Sequence, residues 1–117
     1  MLKGEAEYKK SEHVVVFITA ATTDEARSIS NILVSRRTAA CVNIVPHVHS
    51  MFWWQGKIES TDEALLIVKT KATLLEELIE LVKLNHSYDV PEIIALPIIG
   101  GNRDYLQWLD DETGLKL

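Results

Sequence analysis

A long stretch of strand-forming residues, 39–71, is interrupted by a single turn signal at Gly56-Lys57. A glycine turn between two alternating apolar segments is typical of a β-hairpin. The first arm covers residues 39–55 and the second covers 58–71, so both exceed the usual strand length of about five or six residues. Asp62-Glu63 interrupts the second arm, and this pair predicts a bend or bulge there. A chain with such a hairpin at its centre is expected to fold around a β-sheet.

Two capping boxes predict a helix on each side of this hairpin. In a capping box a threonine oxygen accepts a hydrogen bond from a free backbone N–H, and a glutamate three residues later reaches back to the cap. Thr22-x-x-Glu25 follows the apolar run 14–20, which predicts a first strand and then a helix that ends at about Arg37. Thr73-x-x-Glu76 predicts a second helix that ends near His86. Apolar residues recur at helical spacing in both segments, so each helix has one face to bury against a sheet.

The last strand is predicted from Glu92 to Ile99, in an apolar run that contains Pro97 and follows Pro91. Proline lacks an N–H and therefore suits the start or the edge of a strand. Beyond Gly100-Gly101, Asn102 is a candidate cap for a short helix. The order of elements is then β-α-β-β-α-β plus a C-terminal helix. This order is typical of an α+β, ferredoxin-like split βαβ sandwich, in which an antiparallel sheet carries two helices on one face.

Four consecutive apolar residues end the first hairpin arm, 51–54, and point alternately to the two faces of the sheet. With helices on one face only, one set of these side chains is left exposed, and an exposed apolar patch usually marks a site of association. Long hairpin arms also offer edges for pairing between subunits. The alternative is that the terminal helix folds back over Trp53 or Trp54, and composition alone does not separate the two arrangements.

The composition indicates one globular domain. With 117 residues, 47% of them hydrophobic, the chain is long enough to bury one core. Residues 1–12 are predicted to be a mobile polar leader, and residues 13–117 are predicted to be the domain. No apolar stretch approaches the roughly 20 residues of a membrane span, and a formal net charge of −5 disfavours nucleic acid as a partner. The lone Cys41 excludes an internal disulfide, which favours a cytoplasmic location.

The best candidates for chemistry lie together at the mouth of the last strand, and they are His86, Tyr88, Asp89 and Glu92. Without a nucleophile motif, a phosphate loop or a cofactor motif, these side chains specify no reaction. His86 is equally well explained by a structural role. In that role the imidazole contacts the last carbonyls of the preceding helix. If a neighbouring chain added Lys69 or Trp54, the result would be a polar cleft between subunits.

Two other positions carry residue types that can bind metal. His47-x-His49 places two imidazoles on the same face of a strand, a spacing at which they can share a metal ion. Because the same segment offers no third ligand, a solvated strand face next to Pro46 is the favoured interpretation. Cys41 lies at the start of a strand, where a small buried apolar residue is a better interpretation than a nucleophile.

Several motifs, in order from about Val14 to Trp108, resemble one known family: Ala39-Ala-Cys-Val-Asn-Ile-Val-Pro46, Trp54-Gln-Gly-Lys57, Lys69-Thr70, the segment from His86 to Ile98, and Asp104-Tyr-Leu-x-Trp108. The chain resembles the CutA family of divalent-cation tolerance proteins. The resemblance implies a ferredoxin-like protomer and a homotrimer held through the long hairpin, with a shape similar to PII signalling proteins. It also implies a cytoplasmic location, a role in tolerance to copper and other divalent metals, and no established reaction.

The resemblance also implies a ligand cleft between subunits, formed by Cys41, Trp54, Lys69, His86, Tyr88, Pro91 and Glu92. His86 is the implied metal ligand, and Cu²⁺ or another divalent cation is the implied cofactor. The sequence departs from the family in two places. Ser87 stands where proline is usual, and Ile18 and Asn85 stand where some bacterial members have a cysteine and a second histidine. A copper site built on soft ligands is therefore partly missing.

The favoured function is a non-enzymatic trimer that binds a metal ion or a small ligand and takes part in the response to metal ions. One alternative is a structural or anchoring trimer that acts through protein partners. A second alternative is a hydrolase like the acylphosphatases, which share this architecture. Such a hydrolase needs an anion-binding loop with an arginine after the first strand, and residues 20–23 contain neither arginine nor glycine.

Overall fold

The computed structural model describes residues 12–114, which form a four-stranded antiparallel sheet and three α-helices. The strand order across the sheet is β2-β3-β1-β4. This arrangement confirms the predicted α+β, ferredoxin-like class. Residues 1–11 of the predicted leader lie outside the described residues. The elements in chain order are β1 (His13–Ala20), α1 (Thr23–Ser35), β2 (Cys41–Trp54), β3 (Lys57–Lys71), α2 (Leu75–Asn85), β4 (Ile93–Pro97) and α3 (Arg103–Glu112).

One core lies between the sheet and the pair of helices α1 and α2. Alternate residues of β1 and β3 face it, because successive side chains of a strand point to opposite faces. Each helix contributes the apolar stripe that its sequence predicts. The buried apolar residues of this core include Val16, Ile18, Ala26, Ile29, Leu33, Leu66, Val68, Leu78 and Val82.

The threonine cap of the first predicted capping box is confirmed, although Glu25 bonds to the N–H groups of Ala21 and Ser87 instead of the cap residue, and the second box is wrong. Thr22 is the N-cap of α1, and its Oγ1 accepts a hydrogen bond from the N–H of Glu25 at 3.0 Å. Thr73 instead lies inside a 3₁₀ turn, Ala72–Leu74, which continues directly from β3. The N-cap of α2 is Leu74, and no side chain bonds to the cap. Because the chain is already helical at position 73, the threonine never takes the extended conformation that an N-cap needs.

Replacing Thr22 by alanine should lower the free energy of unfolding by about 1 kcal/mol, because the N–H of Glu25 loses its partner. Urea denaturation followed by circular dichroism measures this difference. Thr73→Ala is the matched control, since Thr73 is exposed and caps no helix. We expect the control to change stability by less than about 0.5 kcal/mol. Equal losses in both variants would contradict these cap assignments.

The long hairpin is confirmed, but its turn and its bulge lie elsewhere than predicted. The strands contain 14 and 15 residues. Positive φ angles at Gln55 (50°) and Gly56 (80°) make these two residues the turn, and Lys57 already pairs with Trp54 in the ladder. The pairing register shifts between Val45 and Val48 of β2. The bulge therefore lies at residues 46–47 of the first arm, where Pro46 has no N–H to give to the ladder.

Two other element ends differ from the predictions. The strand β4 covers only Ile93–Pro97, so Glu92 and residues 98–99 lie outside it. The helix α1 ends at Ser35, because Arg36 is its C-cap and Arg37 takes a left-handed φ of 60°. Both elements are therefore shorter than the sequence patterns predict.

The helix α3 lies at one end of the sheet and does not cover the aromatic residues of the hairpin. Its Asp110 contacts His13 of β1 at 2.9 Å, and Lys71 of β3 donates to the Thr113 carbonyl at 3.3 Å. Both contacted side chains alternate to the face away from α1 and α2. Trp53 and Trp54 remain 73% and 48% exposed. The alternative in which the terminal helix folds over them is therefore wrong.

Candidate ligand cleft

His86 is buried between β1 and the loop that leads into β4. Its side chain is 0% exposed, and its Nε2 lies 2.7 Å from the carbonyl oxygen of Thr19. A carbonyl only accepts hydrogen bonds, so the assigned proton is on Nε2. The other nitrogen, Nδ1, accepts the N–H of Tyr88 at 3.0 Å. The imidazole thus joins β1 to the loop, rather than bonding to the last carbonyls of α2, and a metal ion at either nitrogen would have to displace one of these bonds.

Glu25 fastens the same loop to the start of α1. One carboxylate oxygen accepts the N–H of Ala21 at 2.9 Å, and the other accepts the N–H of Ser87 at 2.8 Å. Burial alone would raise the pKa of Glu25, but the hydrogen bonds from Ala21 and Ser87 outweigh burial and hold that pKa below its usual value. The sequence indicated Glu25 only as part of a capping box. Its bond to Ser87, far along the chain, has no sequence signal.

Tyr88 forms a pair with a glutamate of the hairpin. Its hydroxyl donates to Oε2 of Glu63 at 2.8 Å, and Glu63 is only 7% exposed. Burial, followed by the hydrogen bond to the Glu63 carboxylate, raises the pKa of Tyr88 to about 12. The sequence pattern indicated Glu63 only as part of a possible bulge. Its role depends on a contact between distant segments, which a local pattern does not reveal.

These residues border an open cavity of about 770 Å³ between the end of the hairpin and the loop before β4. Three predicted cleft residues line it: Trp54, Tyr88 and Glu92. Pro91 is next to Glu92, and His86 lies behind Tyr88. Four carboxylates contribute to the lining, whereas none of the described lining residues is Lys or Arg. The cavity therefore favours a cation over an anion. Its carboxylates belong to Glu59, Glu63, Asp89 and Glu92.

The other two predicted cleft residues, Cys41 and Lys69, lie directly opposite each other on β2 and β3. The Lys69 ammonium bonds to Oδ1 of Asn43, and the Cys41 thiol lies 4.0 Å from the same oxygen. Tyr105 of α3 comes close as well. Burial and then the neighbouring Cys41 raise the pKa of Tyr105. This end of the sheet thus groups a free thiol, an ammonium and a phenol.

Two of the predicted cleft residues, Cys41 and Trp54, are far apart within one chain. Cys41 and Trp54 are the first and last residues of β2, a strand of 14 residues. At a rise of roughly 3.3 Å per residue, these positions are about 40 Å apart. One protomer therefore contains two half-sites. The first half-site is the cavity with Trp54, His86, Tyr88, Pro91 and Glu92, and the second half-site is the Cys41–Lys69 pair.

Neither half-site is a ready-made metal centre. Within residues 12–114, no group of three His, Cys, Asp or Glu side chains is arranged to hold a metal ion as it stands. Over the same residues, no helix is long and apolar enough to cross a membrane.

The profile of a known protein family, described as "CutA1 divalent ion tolerance protein", matches residues 14–112. The chain belongs to the CutA1 family. The match starts inside β1 and ends with the last residue of α3, so it contains all seven predicted cleft residues. The resemblance found from sequence motifs is thereby confirmed, and so is the link to divalent-cation tolerance at the level of the family.

Individual CutA proteins agree closely with the chain. The "Divalent-cation tolerance protein CutA" of Thermus thermophilus is 51% identical over 100 residues, which cover 86% of this chain and 97% of that protein. A solved structure of the Thermus thermophilus protein has a TM-score of 0.86 at 50% identity, covering 87% of this chain and 99% of the other. A CutA structure from Archaeoglobus fulgidus, titled a periplasmic protein, has a TM-score of 0.84 at 42% identity and covers 86% and 97% of the two chains.

Plant relatives are longer. The "Protein CutA 1, chloroplastic" of Oryza sativa is 49% identical over 100 residues, which are 86% of this chain but 56% of the rice protein. The chain likewise spans 62% of the Arabidopsis thaliana protein. Names in this family thus include chloroplastic and periplasmic proteins, and the cytoplasmic location of this chain stays a prediction.

Proposed function

We propose that the protein takes part in the response to divalent metal ions as a non-enzymatic homotrimer that resembles PII proteins in shape. A cleft between its subunits binds Cu²⁺, another divalent cation or a small ligand. The observation that carries this proposal is the separation of Cys41 and Trp54 by about 40 Å along β2. A single cleft that contains both Trp54 and Cys41 needs one residue from each of two chains.

The open face of the sheet supports association of several chains. Antiparallel partners point to the same face, so Ile94, Phe17 and Ile67 form an apolar row across β4, β1 and β3. Ile94 is 51% exposed in the single chain. The helix α3 covers only the end of this face, near His13 and Lys71. Burying the rest against other copies removes apolar surface from water.

Charge supports a cation as the ligand. The cavity half-site carries four carboxylates, and the thiol of the second half-site adds a sulfur ligand that suits zinc and copper. The cation would meet Glu92 from one chain and Cys41 from the next. His86 then supports the loop, because both of its ring nitrogens are bonded to the backbone.

The same contacts support a function without catalysis. A general base needs a free lone pair, and Nδ1 of His86 uses its lone pair to accept the N–H of Tyr88. With a pKa of about 12, the Tyr88 phenol stays protonated near neutral pH. His86 thus offers no free lone pair to a substrate, and the protonated Tyr88 phenol is a poor nucleophile.

Mixing two variants tests the cleft. We expect Cys41→Ser and Glu92→Gln each to abolish binding of Cu²⁺ to the cleft, measured by calorimetric titration of metal-free protein. If the cleft joins two chains, trimers refolded from an equal mixture regain about one-quarter of the wild-type sites, because each mixed trimer contains one intact junction. Glu80→Gln on the exposed surface of α2 is the charge control and should bind normally.

A cleft contained in one chain would show no recovery in the mixture. Unchanged cleft binding in both single variants would contradict the assignment of these residues. A protein that runs as a monomer in light-scattering chromatography would overturn the trimer and the shared cleft together.

A further inference from the structure

Two histidines and one aspartate meet in the middle of the hairpin. His49 of β2 lies directly opposite Asp62 of β3, and its Nδ1 is 2.7 Å from Oδ1 of that aspartate. The bulge between Val45 and Val48 lets His47 reach the same atom, with its Nε2 at 3.2 Å. All three side chains are more than half exposed. The sequence supplied two of these residues as His47-x-His49, and the structure supplies a third group from the partner strand.

We propose that His47, His49 and Asp62 bind a divalent transition-metal ion at a site separate from the cleft. Two imidazole nitrogens and one carboxylate oxygen form a ligand set that Zn²⁺, Ni²⁺ and Cu²⁺ accept, and the remaining positions are open to water. Mg²⁺ and Ca²⁺ prefer sites made of oxygen ligands and should bind weakly here. The cross-strand position of the three side chains gives the ion one ligand from β3 and two from β2.

The two imidazoles now contact one aspartate oxygen, and the three side chains would have to rearrange to hold an ion. In a tetrahedral site with metal–ligand bonds of about 2.0–2.2 Å, neighbouring ligand atoms are roughly 3.3 Å apart. The 3.2 Å between His47 and Asp62 already fits, whereas the 2.7 Å between His49 and Asp62 must open by about half an ångström. Without an ion, both rings turn onto one carboxylate oxygen, so the group is not spread around a central point. Rotation of exposed side chains makes this change without moving the strands.

This site does not depend on the proposed cleft. None of its three residues lines the cavity, and Asp62 alternates with Glu63, which is buried against Tyr88. Cys41 lies at the start of β2, several residues before the bulge. Binding at this site therefore needs none of the residues of the proposed cleft.

Titration with Zn²⁺ and Ni²⁺ tests the site, with binding followed by calorimetry and native mass spectrometry on the full chain. His49→Ala and Asp62→Asn should each weaken this binding by more than the roughly 10–100-fold that loss of a supporting hydrogen bond costs at a metal site. Glu80→Gln is the charge-matched control, because it removes an equal charge from an exposed position of α2 that belongs to neither proposed site. The control should bind as the wild type does. Thermal unfolding in chelator confirms that the variants stay folded.

Electron paramagnetic resonance of the Cu²⁺ complex gives a second readout. We expect nitrogen coupling from two imidazoles in the wild type and from one in His49→Ala. Unchanged affinity in His49→Ala, or an equal loss in Glu80→Gln, would overturn the proposal. Cys41→Ser and Glu92→Gln should leave the hairpin site intact. A variant that loses binding at the cleft but keeps binding at the hairpin site therefore shows that only the cleft was affected.

Discussion

His86→Ala should lower the free energy of unfolding by about 2–5 kcal/mol, the range for removing a large buried side chain. The imidazole is 0% exposed and bonds to the backbone on both sides. Its removal leaves a cavity and deprives the Thr19 carbonyl and the Tyr88 N–H of their partners, and each unpaired buried group adds roughly 1–3 kcal/mol if water cannot reach it. Urea denaturation with circular dichroism measures the loss.

Asn85→Ala is the matched control for His86→Ala. Asn85 is the preceding residue, is exposed, and bonds only to the carbonyl of Leu81 in its own helix among the contacts described. We expect a loss of less than about 1 kcal/mol in the control. A His86→Ala variant as stable as the control would show that the imidazole is not a structural link. In the wild type, hydrogen exchange should show protection of the Tyr88 amide, which bonds to His86. This protection should be lost in His86→Ala.

This expectation changes how a histidine at the mouth of a strand should be tested. Loss of ligand binding in His86→Ala would follow from a displaced loop as readily as from a missing ligand. Cys41 and Glu92 are better probes of the cleft, because Glu92 is exposed and Cys41 is only partly buried. Their replacement removes a ligand group and leaves the contacts of His86 intact.

Local patterns predicted the parts of the fold that depend on local forces. Thr22 caps α1 as its motif indicates, because a cap needs only its own turn. The same motif at Thr73 failed, since the end of β3 passes directly into a 3₁₀ turn and fixes the backbone there. Hairpin length was also predictable, whereas the bulge depends on the pairing of two strands and on Pro46.

The candidate sites were only half visible in the sequence for the same reason. Patterns along one segment identified His86, Tyr88 and His49, but not their partners from other elements. Glu63 and Asp62 are adjacent in sequence and point to opposite faces of β3, where one joins the cleft and the other meets the histidines. A sequence pattern assigns both to a charged interruption of a strand. Only the pairing register separates their roles.

Ile94→Asp should convert the proposed trimer into monomers. Ile94 is a half-exposed residue of β4 and shares an apolar row with Phe17 and Ile67 on the open face of the sheet. If this face is buried between subunits, the substitution places one uncompensated charge per chain in an apolar contact. Burial of an unpaired carboxylate is strongly unfavourable. The chains are therefore expected to stay apart, with the carboxylate in water.

Light-scattering chromatography measures the expected change, from three times the chain mass to one chain of 13.2 kDa. Leu84→Asp is the matched control, because Leu84 is 79% exposed on α2 and belongs to the opposite side of the sheet. The control should remain a trimer with unchanged thermal stability. A trimer that survives Ile94→Asp would place the subunit contacts elsewhere, on the hairpin edges. A monomer formed by Leu84→Asp as well would show that any added charge dissociates the assembly, and the open face would then have no special role.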